Sequence, residues 1–386
     1  MTRRRQLLRA IGAGGLSLVT GCMGSGSNGA NQTEKTPLTS TRPAPTTRTE
    51  TRTERRDTTD VETADEPTEE TATEETATER PPTEDTAFIA SEDVRTGSIT
   101  LRKLPYEQWP RGDTGWCDSS ASEVSALANV SLQSENDSDS YDPLNTAKVL
   151  NDVVRCYSAE GKEGYRKKAD QMLDKLLETS VRRAGAIYVS YTFYYEWHGE
   201  FPLVPPIYSG MAQGVLLSPL SRLYRLTDEQ RYEDLARLVF RSFDRPRGAL
   251  ASEYADEPWT TTIDDDRYYW IEGVPLTPPG HVLNEMNAAI EGLYEYWRVF
   301  ETPQSELLLT AALKTVKDHT DDYRVPDELS WYCLGHDVRV PPRYHDLHIR
   351  QFENFYQMTG DQAFQRAAAR YKRDQKRAGV TTTDGQ

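Results

Sequence analysis

Arg155-Cys156-Tyr157-Ser158-Ala159-Glu160-Gly161-Lys162-Glu163-Gly164-Tyr165-Arg166-Lys167-Lys168-Ala169 decides the fold. An aromatic residue closes one helix, a polar turn follows, and eight positions on a second large side chain opens the inner face of the next helix. An Ala follows one helical turn later. The phrase recurs as Tyr224/Tyr232/Ala236, Val299/Leu307/Ala311 and Tyr356/Phe364/Ala368. The turns between carry Thr227-Asp228, Thr302-Pro303 and Thr359-Gly360-Asp361. A repeat of this length is one helical hairpin plus its connection. The flanking runs keep the helical period: Leu283, Met286, Ile290, Leu293 and Trp297 in one, Tyr232, Leu235, Val239 and Phe243 in another.

Repeated α-hairpins can stack as a straight solenoid or curve into an α/α toroid with inner and outer helices. The long connections between hairpins are aromatic and polar, which suits a lined cleft and favours the toroid, as an incomplete barrel. The fold class expected is therefore mainly α. A few short strands are expected near the N-terminal edge, with Ser98-Ile99-Thr100-Leu101-Arg102 the best candidate.

The chain has 386 residues, 37% of them hydrophobic and 27% charged, with net charge −16. Those figures exclude a polytopic membrane protein and a nucleic-acid binder, which needs a basic face. The acidity is even: residues 1–87 hold 11 Lys/Arg against 15 Asp/Glu, and residues 88–386 hold 34 against 46. Such a surface stays hydrated at high salt, and an archaeal halophile is a source that fits.

Residues 1–24 read as a targeting segment. Arg3-Arg4-Arg5-Gln6-Leu7-Leu8 has the form of a twin-arginine export signal, and an apolar run from Ala10 to Gly21 follows. That run is too short to span a bilayer, which needs about 20 residues. Leu18-Val19-Thr20-Gly21-Cys22 resembles a lipobox whose Cys22 thiol receives a lipid. The expected location is the outer face of the cell membrane. Residues 25–87 are Thr, Glu, Ser and Pro with almost no large apolar side chain, the composition of a disordered stalk. Residues 88–140 are an N-terminal extension, 141–375 the toroid, and 376–386 a flexible tail. Cys117, Cys156 and Cys333 show no CxxC spacing, so one disulfide and one thiol are expected, with the pair left open.

Three connections carry candidate chemistry: Trp197-His198-Gly199-Glu200-Phe201 running to Gly214, Tyr268-Tyr269-Trp270-Ile271-Glu272 running to Asn284, and Ser330-Trp331-Tyr332-Cys333-Leu334-Gly335-His336 running to Ile349. Trp and Tyr stack on sugar faces while Asn, Gln and Glu bond hydroxyls. Tyr208-Ser209-Gly210-Met211-Ala212-Gln213-Gly214, Val282-Leu283-Asn284 with Gly292-Leu293-Tyr294, and Tyr344-His345-x-x-His348-Ile349 resemble the C-terminal domain of D-glucuronyl C5-epimerases. Tyr141-Asp142-Pro143 resembles that family's Tyr-Asn-Pro helix entry, so the likeness runs over about 141–372.

The resemblance implies an α/α toroid acting on heparan-type glycosaminoglycans. It implies proton removal from C5 of a uronate and return of a proton to the opposite face, with no redox cofactor. The matching catalytic residues are Tyr332 and Tyr344, with Glu272 as acidic partner. The matching substrate-binding residues are Tyr141, Tyr208, Met211, Gln213, Asn284, His336, His345 and His348. The sequence departs from the family twice. Gly273-Val274 stands where the family has Glu-Tyr before a Pro, and Gly335 stands where it has the Arg expected to grip a carboxylate; Arg339 and Arg343 are the substitutes at hand.

A metal at His336, His345 and His348, or calcium at Asp264-Asp265-Asp266, is the weaker reading, and no metal or cofactor is expected. The expected partners are an acidic polysaccharide or glycan, the membrane through the lipid, and a second copy in a homodimer. The competing functions are a lyase, a glycoside hydrolase using carboxylates among Glu196, Glu200 and Glu272, and a non-catalytic glycan-binding lipoprotein.

Overall fold

The computed structural model describes residues 88–110, 117, 142–247 and 258–380. Eight α-helices are described, in four hairpins: α1 (Pro143–Glu160) with α2 (Glu163–Glu178), α3 (Gly210–Thr227) with α4 (Gln230–Phe240), α5 (Leu283–Phe300) with α6 (Pro303–His319), and α7 (Pro342–Thr359) with α8 (Gln362–Arg377). Each corner falls at the repeated phrase. At Gly161, Asp228, Glu301 and Gly360 the chain turns left-handed, and the N–H at each returns to the carbonyl four residues earlier. Asp142, Ser209, Thr302 and Asp361 then cap helix starts with their side chains.

The odd-numbered helices form the inner layer, packing in chain order: α1 on α3, α3 on α5, α5 on α7. Burial follows from this placement. α3 and α5 are buried on nearly every side, whereas α8 buries one stripe, Phe364, Ala367, Ala368 and Tyr371. The domain is an α/α toroid.

The inner helices approach closely because their contacts are made by small residues. A Cβ on Gly214 would overlap Ala289, and one on Gly292 would overlap the Gly214 carbonyl. Deeper along the same pair, Arg222 and Glu295 form a buried ion pair: Nε to Oε2 is 2.7 Å and Nη2 to Oε1 is 2.8 Å. Ser218 Oγ also donates to Glu295.

The short strands lie elsewhere than expected. Ser98–Arg102 forms none. It is a strap held by side chains and helix ends, with the Arg102 N–H on the Met358 carbonyl at 2.6 Å and the Leu104 N–H on the Tyr294 hydroxyl at 2.9 Å. The strands are four antiparallel two-stranded ribbons inside the long connections: β1 (Val181–Arg183) with β2 (Ala186–Tyr188), β3 (Ser190–Tyr191) with β6 (Ile207–Tyr208), β4 (Tyr195–Trp197) with β5 (Phe201–Leu203), and β7 (Thr261–Ile263) with β8 (Tyr269–Ile271). Connections that must cross the rim satisfy their backbone groups by pairing with themselves. Cys117 and Cys156 are disulfide-bonded, and Cys333 is a buried free thiol. The targeting segment, the stalk and the tail from 381 lie outside the described residues.

Candidate active site

Three inner helices, α3, α5 and α7, begin at one rim, and their connections meet there. A bridge between Val282 and Cys333, with the Leu283 N–H on the Tyr332 carbonyl at 3.2 Å, lays the third connection against the start of α5. That register puts the Tyr332 hydroxyl on Glu285, in the first turn of α5, at 2.9 Å from Oε1. The Tyr344 ring, half-buried at the start of α7, meets Tyr332 edge to face with centroids 5.6 Å apart. Arg343 lies over the Tyr344 ring at 5.0 Å and is exposed. The two tyrosines singled out from sequence therefore share one place.

Glu285 was not singled out. Its carboxyl fills the space left by the missing side chain of Gly273: a Cβ there would overlap it. Burial raises the Glu285 pKa to about 7, the Tyr332 hydrogen bond opposes the rise, and the Glu272 charge adds to it. Lys148, on α1, is near enough to pull it the other way. The signal that could have found Glu285 is Gly273 itself, a glycine where a carboxylate was expected.

Glu272 takes a different part. It is buried, accepts the His281 N–H at 3.1 Å, meets His281 Nδ1 at 2.7 Å and takes the Thr262 hydroxyl at 3.4 Å. It pins the turn entering α5, and it reaches the tyrosine pair only by its charge on Glu285. Asp264 caps its own ribbon, accepting from the Tyr268 N–H and Trp270 Nε1.

Several expected substrate contacts are structural ties. Gln213 is wholly buried; it accepts the Val189 N–H at 2.9 Å and donates to the Ile187 carbonyl at 2.6 Å and Ser242 at 2.9 Å. Tyr208 is buried against Tyr188. His345 and His348 both meet Ser330 Oγ at 3.0 Å, and His345 Nε2 meets the Tyr371 carbonyl at 3.0 Å. Burial lowers His348 to about 3, so it is neutral. Polar groups with partners of this kind are fixed within the fold rather than offered to a ligand. Met211 packs on the core at its edge, and Asn284 is buried beside Glu285 in the chain. Tyr141 lies outside the described residues.

His336 does stand at the rim. Its ring lies 4.6 Å from Phe201, 4.9 Å from Trp197 and 5.5 Å from His198 by centroids, and His198 lies 5.5 Å from Tyr332. At Gly335, where the family has its Arg, a Cβ would make a tight contact, 3.0 Å from the Pro279 carbonyl. Arg339 is engaged elsewhere, stacked 3.6 Å from Trp331 and bonded to the Leu329 carbonyl. Of the two substitutes at hand, Arg343 is the one beside the Tyr344 ring.

Residues 183–373 match the family model described as D-glucuronyl C5-epimerase C-terminus. Over this stretch, just under half of the chain, the sequence is similar to that epimerase family. The match begins after the Tyr141-Asp142-Pro143 entry, so that part of the expected likeness lies outside it. None of the curated proteins compared with the chain matches it. Among solved structures, a cellobiose 2-epimerase from Bacillus thermoamylovorans is similar at 11% identity and TM-score 0.45, over 68% of this chain and 74% of that one. A GH76 α-mannanase from Bacteroides thetaiotaomicron is similar at 13% identity and TM-score 0.45, over 66% and 69%. A D-mannose isomerase is similar at 8% identity and TM-score 0.47, over 71% and 72%. The chain carries a carbohydrate-epimerase-type α/α toroid.

Proposed function

We propose that this epimerase-like toroid inverts C5 of uronic acid residues, glucuronate to iduronate in type, within an acidic polysaccharide or glycan. The observation that carries the proposal is the Tyr332–Tyr344 pair with Tyr332 bonded to Glu285. A free phenol with a pKa near 10 is too weak a base at neutral pH and needs an acceptor for its proton. Ionised Glu285 takes the Tyr332 proton. The phenolate takes the C5 hydrogen of the uronate, and the electron pair moves onto the carboxylate as an enediolate. Tyr344 then gives its phenol proton to the other face of C5; Tyr332 is already a phenol again, and solvent returns a proton to the Tyr344 phenolate and takes one from Glu285. Arg343 and the positive ends of α3, α5 and α7 favour the carboxylate and the charge that develops on it.

Incubation with candidate polyuronides in D₂O, followed by NMR at C5, tests this. Wild type incorporates deuterium and forms the C5 epimer, and Tyr332→Phe and Tyr344→Phe each lose at least about 10²-fold in exchange. Absorbance from an unsaturated uronide would identify a lyase instead. Binding of acidic glycans without exchange, unchanged in Tyr344→Phe, would identify a non-catalytic binder. The same proposal places the chain outside the cell, held by a lipid on Cys22; the Cys117–Cys156 disulfide, a bond that persists in oxidising compartments, supports export.

A further inference from the structure

The first and third connections meet at a mixed cluster of nitrogen and sulfur donors that takes no part in the proposed proton transfers. Cys333 Sγ lies 3.6 Å from His198 Nε2 and 3.6 Å from His336 Nδ1. The three donor atoms lie within 4.8 Å of one another. Around a tetrahedral zinc ion, with a metal–sulfur distance of about 2.3 Å and metal–nitrogen of about 2.0–2.1 Å, sulfur and nitrogen ligands stand about 3.6 Å apart. The two sulfur–nitrogen separations meet that requirement, and a small turn of one imidazole brings the two nitrogens, within 4.8 Å of each other, to the roughly 3.3 Å that two nitrogen ligands take. We propose that His198, Cys333 and His336 form a zinc site with one position left open.

The donor set argues for the metal class. One thiolate and two imidazoles suit zinc and exclude calcium and magnesium, which take oxygen ligands. The cysteine is buried, while both histidines are half-buried and face the rim. Three protein ligands with solvent access on one side is the arrangement of a site that keeps a water or an outside ligand.

The cluster also has a place in the fold. His198 sits at the turn of the β4–β5 ribbon, whereas Cys333 and His336 belong to the loop that carries Tyr332. An ion held by all three joins the two connections directly beside Tyr332, whose ring is 5.5 Å from that of His198. Metal binding would then hold the tyrosine loop against the ribbon.

The competing account is a thiol that shares hydrogen bonds with two imidazoles. Cobalt(II) distinguishes them without any activity measurement, so failure here is separate from failure of the epimerase reading. The whole chain, stripped with chelator, is titrated with Co²⁺ under inert gas. The expected result is a near-ultraviolet thiolate-to-cobalt band with strong visible bands of four-coordinate cobalt, saturating at one equivalent and bleached by Zn²⁺. Cys333→Ser should remove the ultraviolet band, and His198→Asn and His336→Asn should each weaken cobalt binding roughly 10-fold or more. No thiolate band in folded wild type, or a band that survives in Cys333→Ser, overturns the site. If Cys333→Ser fails to fold, the two histidine variants decide, since both positions are half-buried; wild-type cobalt affinity in them overturns it equally.

Discussion

Glu285 owes its position to a neighbour that is not there. Gly273 supplies no side chain, and the first turn of α5 sends a carboxylate into the gap and onto Tyr332. Tyr332 and Tyr344 were legible because each sits in a motif. Glu285 was not, because an acidic residue in a first helical turn is ordinary on dipole grounds. Its pKa of about 7, against 4.5 for a free side chain, gives two consequences with defined signs. Between those values the folded protein keeps a proton that the unfolded chain has released. The stability this group contributes is therefore full at low pH and is lost as pH rises through about 7. The reverse holds for chemistry, since only the ionised form can accept the Tyr332 proton. The rate of C5 exchange should rise with pH through about 7 in wild type. In Glu285→Gln that rising limb should vanish and the plateau rate should fall by at least about 10²-fold. Urea midpoints should be flatter with pH in the variant than in wild type. A pH–rate profile identical to wild type would remove Glu285 from the proton path.

The hairpins were legible as elements because a helix corner is a local event. A large side chain, a left-handed residue and a cap recur at fixed offsets, and each can be read within about ten residues. The ribbons were not, since they form only where a connection must cross the rim and pair with itself. The family phrase Ser209-Gly210-Met211-Ala212-Gln213-Gly214 was legible as a signature but not in its meaning. Ser209 caps α3, Gly210 lies against Ile271, Gln213 ties α3 to β2 and Ser242, and Gly214 lets α5 approach. Its constraint is packing. Gly292→Ala tests that statement: the added Cβ overlaps the Gly214 carbonyl, so α3 and α5 must separate, at a cost of about 1–3 kcal/mol or more. Gly164→Ala, on the exposed start of α2 with open space around it, should be neutral or gain up to about 1 kcal/mol. Thermal midpoints that move equally in the two variants would count against the close approach of the inner helices.

For the molecule as a whole, the proposed location rests on parts that act independently. None of the described helices is long and apolar enough to cross a membrane. On the proposed location, Cys22, at the end of the apolar run after Arg3-Arg4-Arg5, would carry a lipid anchor. A lipid with two acyl chains is enough for stable attachment, whereas one chain is marginal. A tether of the composition read over residues 25–87 would have a root-mean-square span of about 45 Å, at about 5–6 Å times the square root of the residue number. That distance would let a tethered toroid sample surface glycans around its anchor while its acidic surface stays clear of an anionic bilayer. Cys22→Ser should therefore move the protein from the membrane fraction to the medium. The thermal midpoint and the Cys117–Cys156 disulfide should stay as in wild type, since that disulfide does not use Cys22. Fractionation with immunodetection, alongside the mass of the mature N-terminus, reads both. Wild-type protein already free in the medium, or Cys22→Ser protein still in the membrane fraction, would refute the anchor and leave the toroid's chemistry untouched.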